Sequence, residues 1–182
     1  MKKYPFQETE ATRYGNQVHE AIELYIRDQK PIPPEYEQFK PVVDAMLKKP
    51  GRKLAEYEMA LRADLTPTNW KAPDVWVRGI ADILIVDDEN LTAWVGDWKT
   101  GNNKYPDRDQ LVLMSLMVFQ HFPHIRKVNS ALLFIVKNDM VKMCHPGWHA
   151  LTRTFPSQGK GSRHRLHEQH TSAPVSLDAL CG

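Results

Sequence analysis

Only two cysteines, Cys144 and Cys181, occur among the 182 residues. That is too few for a disulfide framework, a four-thiolate zinc site or a four-thiolate iron–sulfur cluster. The chain also lacks any apolar run approaching the roughly 18 residues that a membrane span needs, so a transmembrane role is excluded and a soluble protein is expected. Its opening, Met1-Lys2-Lys3-Tyr4-Pro5-Phe6, is basic but leads into no apolar segment of the kind a secretory leader carries, which points to a cytoplasmic protein. No internal repeat at periods of about 20 to 50 residues marks a solenoid or propeller. An excess of one charge is missing as well. Of 24 basic and 22 acidic residues, four and two fall in 144–182, which leaves 20 of each in 1–143. Bulk charge therefore gives no warrant for nucleic-acid binding, and any such claim has to come from local chemistry.

What is present suits one core with appendages. From Thr12 to about Asp28, Tyr14, Val18, Ile22, Tyr25 and Ile26 recur at spacings of three and four, an amphipathic helix ended by Pro31, Pro33 and Pro34. A second helix is expected from Glu35 to Lys48, stopped by Pro50-Gly51, and then a strand from Lys53 to Leu65 and a loop to Pro73. Val75 to Val86 is rich in β-branched and aromatic residues. With the acidic turn Asp87-Asp88-Glu89-Asn90 and the return strand Leu91 to Lys99, it predicts a β-hairpin. Asp107 to Gln120 reads as a largely buried helix and Val128 to Val136 as a strand followed by the turn Lys137-Asn138-Asp139. Beyond Met143 the texture changes: five of the eight histidines lie there, and Ser, Thr, Pro and Gly break any periodicity. The expected organisation is a domain over 1–143 and a poorly structured basic tail over 144–182, of aberrant or out-of-frame origin.

Chemistry concentrates in the hairpin. Asp82 interrupts an apolar strand, and an ionised carboxylate is costly to bury without a charge partner or a metal. Asp97 and Lys99 are two residues apart, so strand periodicity aims both at one face and Trp98 at the other. With the turn centred on Glu89-Asn90, paired positions sum to 179 and Asp82 faces Asp97, β-carbons roughly 4.5 to 5.5 Å apart. Two carboxylates that close repel unless a cation lies between them or one is protonated, and hard divalent ions such as magnesium favour oxygen ligands. Lys99 adds a positive charge suited to a phosphate oxygen or an attacking water. The plainer account of the same spacing is a buried Asp–Lys ion pair. His19 and Glu23 share one helix face, and His19 is a candidate metal ligand. Glu56 and Glu58 share one strand face, and either is a candidate further carboxylate.

Taken together, Arg13-Tyr14-Gly15-Asn16-Gln17-Val18-His19, a strand glutamate, Gly79-Ile80-Ala81-Asp82, Gly96-Asp97-Trp98-Lys99-Thr100-Gly101 and Asp109-Gln110-Leu111 resemble the PD-(D/E)XK nuclease superfamily. The branch they resemble is the RecB-type exonucleases, including phage forms, over roughly residues 10 to 143. The resemblance implies an α/β fold with a restriction-endonuclease-like core, a mixed central β-sheet flanked by helices. It implies a Mg2+- or Mn2+-dependent DNA exonuclease of recombination, repair or phage DNA processing, in the host cytoplasm if phage-encoded. Catalytic positions carried over are Glu56 (preferred to Glu58), Asp82, Asp97 and Lys99. Metal ligands carried over are His19, Asp82, Asp97 and the Trp98 carbonyl. Gln110 matches the glutamine of the family's Q-x-x-x-Y motif and is expected to hold DNA; the tyrosine is absent, its place taken by Met114. Tyr14, Trp98 and Trp94 are aromatic candidates for stacking on unpaired bases, and Arg78, Lys99, Lys104 and Arg108 are candidates for the DNA backbone. A non-catalytic DNA- or protein-binding module that keeps the nuclease fold is the alternative, and a zinc site at Cys144, His145 and His149 fits no common ligand spacing. Nothing in the sequence bears on oligomeric state.

Overall fold

A computed structural model describes residues 9–147. Helix α1 spans Glu10–Asp28, two residues longer at its start than the apolar pattern requires, because the Thr9 side chain caps it by accepting from the Thr12 N–H at 3.1 Å. It ends at Gln29, whose backbone turns left-handed (φ 55°). The second predicted helix is broken. Pro34–Phe39 forms a 3₁₀ helix and Lys40–Leu47 the α-helix α2. Pro41 is the physical reason: it has no N–H to give the preceding turn, and its ring would clash with the carbonyl four residues earlier.

Five strands follow: β1 Arg52–Leu61, β2 Val77–Asp87, β3 Thr92–Lys99, β4 Lys127–Phe134 and β5 Asp139–His145, with helix α3 Arg108–His121 between β3 and β4. They form one sheet in sequence order, β1-β2-β3-β4-β5, antiparallel except for the parallel β3–β4 pair. Crossing from β3 to a parallel neighbour requires a covering helix, which α3 supplies. β1 stops at Leu61, short of the expected Leu65, where a turn intervenes: the Leu65 N–H donates to the Arg62 carbonyl at 2.9 Å and Leu65 is left-handed (φ 68°). β5 was not among the expected elements, and it continues through Cys144 and His145, past the break in composition at Met143. The rest of the expected tail, 148–182, lies outside the described residues.

Two apolar layers enclose the sheet. On one face, α3 packs Val112, Leu116 and Met117 against Leu84, Val86 and Val95. On the other, Val18 and Ile22 of α1 and Val43 and Met46 of α2 pack against Ile83, Ile85, Trp98 and Leu133. The fold is therefore mixed α/β, a five-stranded mixed sheet flanked by helices. Among the described residues no helix is long and apolar enough to cross a membrane.

Candidate metal centre

The hairpin register is the one that symmetry about the acidic turn predicts. Ile83 pairs with Gly96, Leu84 with Val95 and Ile85 with Trp94, and the ladder ends one step short of Asp82 and Asp97, which are near enough for the Asp97 charge to raise the Asp82 carboxyl. On its other side Asp82 meets β1 at the single gap in a regular ladder. Ala55 pairs with Ile83 and Tyr57 with Ala81, while Glu56, which stands opposite Asp82, makes no pair. Glu56 is left-handed there (φ 48°), a conformation that costs an L-residue about 1 kcal/mol or more. Both strands change phase at this point. Leu54 and Leu84 face the α3 layer, and so do Tyr57, Met59 and Ala81, an odd number of residues away. Glu56, Asp82 and Asp97 thus form one acidic row across three neighbouring strands.

Helix α1 closes over this row because it begins with a close approach. A β-carbon on Gly15 would lie 3.0 Å from the Thr100 hydroxyl oxygen, so glycine lets the helix seat against the end of β3. One turn on, His19 Nδ1 lies 3.5 Å from Asp82 Oδ2. That same Asp82 oxygen accepts the Trp98 N–H at 2.6 Å. Ligand atoms of His19, Glu56 and Asp82 all lie within 4.8 Å of one another, close enough to share an ion. Asp97 stands just outside this trio: Lys99 Nζ is 2.6 Å from its Oδ2, an ionic contact without the geometry of a directed hydrogen bond, and the Gln110 side-chain amide donates to Oδ1 at 2.7 Å.

Electrostatics marks the row as short of positive charge. Burial, and then the Asp97 charge, push the Asp82 carboxyl up to about 8, against the Trp98 hydrogen bond and Lys99. Glu56 is raised by burial and then by the charges of Glu23 and Asp97. His19 is lowered by burial, with Asp97 and a hydrogen bond to the Trp98 carbonyl acting the other way. A half-buried imidazole whose pKa is lowered, beside carboxyl groups that would ionise if a cation were present, is a donor set suited to a divalent metal.

The structure gathers His19, Glu56, Asp82, Asp97, the Trp98 backbone, Lys99 and Gln110, whereas Glu58 is exposed on β1. The surroundings of the other candidate residues are as follows. The Trp98 ring is 2% exposed in the α1 layer and cannot stack on a base; its partners at the site are backbone groups. Trp94 packs in the same layer under Lys49, whose Nζ is 3.8 Å from the ring centre. Gln110 meets Asp97. Tyr14 packs edge-on to Tyr36, ring centres 5.9 Å apart. Arg78, near the start of β2, is tied to the loop that joins β1 to β2, its Nε donating to the Trp70 carbonyl at 2.7 Å. For the zinc reading, Cys144 is exposed and His145 buried, adjacent on one strand and so on opposite faces, and His149 lies outside the described residues. Sequence reasoning missed the Gln110–Asp97 bond and the Glu56–Asp82 opposition. Both join residues across irregular connections that no local spacing encodes. No family model matches the chain, and no curated protein matches it.

Proposed function

We propose that the chain is a metal-dependent deoxyribonuclease, an exonuclease using Mg2+ or Mn2+, on a restriction-endonuclease-like core of the PD-(D/E)XK kind. The observation that carries this reading is the acidic row Glu56–Asp82–Asp97 with an imidazole beside Asp82 and an ammonium beside Asp97. His19, Glu56 and Asp82 would hold the ion, with Asp97 and the Trp98 carbonyl beside them. When bound, such an ion supplies a Lewis acid for a phosphodiester oxygen and lowers the pKa of water. The protein groups have separable tasks. Asp82 is oriented by the Trp98 N–H, and His19 presents a ring whose pKa is lowered by burial. Lys99, held at Asp97 and one-third exposed, is placed to meet developing negative charge on a phosphoryl oxygen. Lys104 and Tyr105 follow on the loop from β3 to α3 and Arg108 opens α3, with Tyr105 84% exposed and the Lys104 ammonium 5.3 Å from its ring centre. They suit a substrate carrying both phosphate and bases.

The test is incubation of linear, nicked and closed circular DNA with Mg2+ or Mn2+, and again with chelator. Linear and nicked DNA is expected to disappear only with metal while closed circles survive. Lys99→Met is expected to slow the loss by about a hundredfold or more. Cleavage of closed circles would convert the reading from exonuclease to endonuclease. No metal-dependent loss of any DNA would leave a non-catalytic module.

A further inference from the structure

We infer that Gln110 is a positioning residue for Asp97 and not a contact to the substrate. The inference rests on the metal-centre reading and adds to it the means by which the third carboxylate of the row is held. Gln110 lies in the first turn of α3, where its backbone N–H is tied to the capping Asp107 Oδ1 at 3.1 Å. From that fixed base its side-chain amide reaches across to β3 and donates to Asp97 Oδ1 at 2.7 Å. Lys99 Nζ lies 2.6 Å from the other oxygen as an ion pair without hydrogen-bond geometry, so the directed restraint on the carboxylate comes from the Gln110 amide. Each carboxylate oxygen keeps a further lone pair, so the arrangement orients Asp97 without using it up.

An amide is the suitable partner. It offers a donor with no charge of its own, so it restrains the carboxylate while leaving its negative charge to a cation. An ammonium in the same place would compete with that cation. The contact also couples two elements, since α3 begins where the β3 connection ends and Gln110 is the side chain that ties the helix start back to the acidic row. Partners that orient metal-binding carboxylates typically change metal affinity about 10- to 100-fold when removed.

The experiment uses the full chain with Mn2+ as probe and no DNA, comparing wild type with Gln110→Met and Gln110→Ala by calorimetric titration. Methionine keeps the length and bulk beside Met114 and removes only the donor. Both variants are expected to bind Mn2+ at least tenfold more weakly. Both are expected to keep the wild-type affinity for a single-stranded oligonucleotide measured in chelator, and Gln110→Met to keep the wild-type melting temperature in chelator. Unchanged Mn2+ affinity in Gln110→Met overturns the inference. So does a loss of oligonucleotide affinity at unchanged Mn2+ affinity, which would make Gln110 a substrate contact. Wild type that binds no Mn2+ overturns the metal centre itself, a result distinct from both.

Discussion

With its carboxyl held up at about 8, Asp82 keeps its proton at neutral pH in the metal-free protein, whereas in the unfolded chain it ionises near 3.8. A folded pKa above the unfolded one gives stability that is complete below about pH 4 and is lost as the pH rises through about 8. Glu56, also raised, adds to the same trend. Three histidines, half-buried His19 and His121 and buried His145, act with the opposite sign. All are lowered by burial, so their contribution is complete above about 6.5 and lost as the pH falls. The interval from about 6.5 to 8 therefore isolates the carboxyl groups. There, urea titrations in chelator are expected to show stability falling by up to about 1.4 kcal/mol per pH unit for each proton. Asp82→Asn, which can still accept the Trp98 N–H, is expected to flatten most of that slope. A wild-type profile that is level or rising across this interval would contradict the protonated Asp82. Asp82 was legible in the sequence because it interrupts an apolar strand, and its surroundings because each rests on a short-range period, two along a strand for Asp97 and Lys99 and four along a helix for His19 and Glu23. The partner of Gln110 was not, since its bond to Asp97 joins a helix to a strand across a loop.

At the scale of elements, β1 and β2 sacrifice one ladder pair, and the left-handed Glu56 marks where. Glycine adopts that backbone without the steric cost that any other residue bears. This reverses an ordinary ranking. Within a strand Gly is normally less stable than Ala by about 0.5 to 1 kcal/mol, yet at position 56 Glu56→Gly is expected to be more stable than Glu56→Ala by about 1 kcal/mol in chelator. Both variants lose the carboxylate, and both are expected to bind Mn2+ at least tenfold more weakly than wild type. Denaturant unfolding of the pair decides the point, because an alanine variant more stable than the glycine one is incompatible with φ near 48°. Which elements could be read in advance follows the same physics. The hairpin register was legible because its turn is short and its two strands are symmetric about it. The left-handed break was not, because β1 and β2 are joined by a long irregular loop that sets no register. β5 escaped notice because Lys142 interrupts its brief apolar pattern, and it is specified by pairing along β4 more than by its own composition. The split between the 3₁₀ helix and α2 was signalled by Pro41, a cue that the surrounding apolar spacing masked.

For the whole molecule, sheet order equal to chain order brings β1, β2 and β3 side by side, and that adjacency is what lets three separate acids form one row. The consequence for a polyanionic substrate is a conflict. The row repels phosphate, and residues 1–143 as a whole carry no net charge to offset it. Attraction has to come from a few cations at the rim, of which Arg78, Lys99, Lys104 and Arg108 are the candidates. Four phosphate contacts set a limit on salt dependence, since the logarithmic slope is about −0.9 per contact on duplex DNA and about −0.7 on single strands. Raising monovalent salt from about 50 to 200 mM is then expected to weaken binding by about a hundredfold on duplex and somewhat less on single strands, measured in chelator by fluorescence anisotropy. Each contact removed by substitution, Lys104→Ala for example, is expected to reduce the slope by nearly one. A divalent ion in the row would raise affinity without steepening the dependence on monovalent salt, because it cancels local repulsion and adds no Lys or Arg contact. Affinity that ignores salt would mean that DNA is not held through its backbone, and a slope far steeper than four contacts allow would mean that cations beyond these four take part.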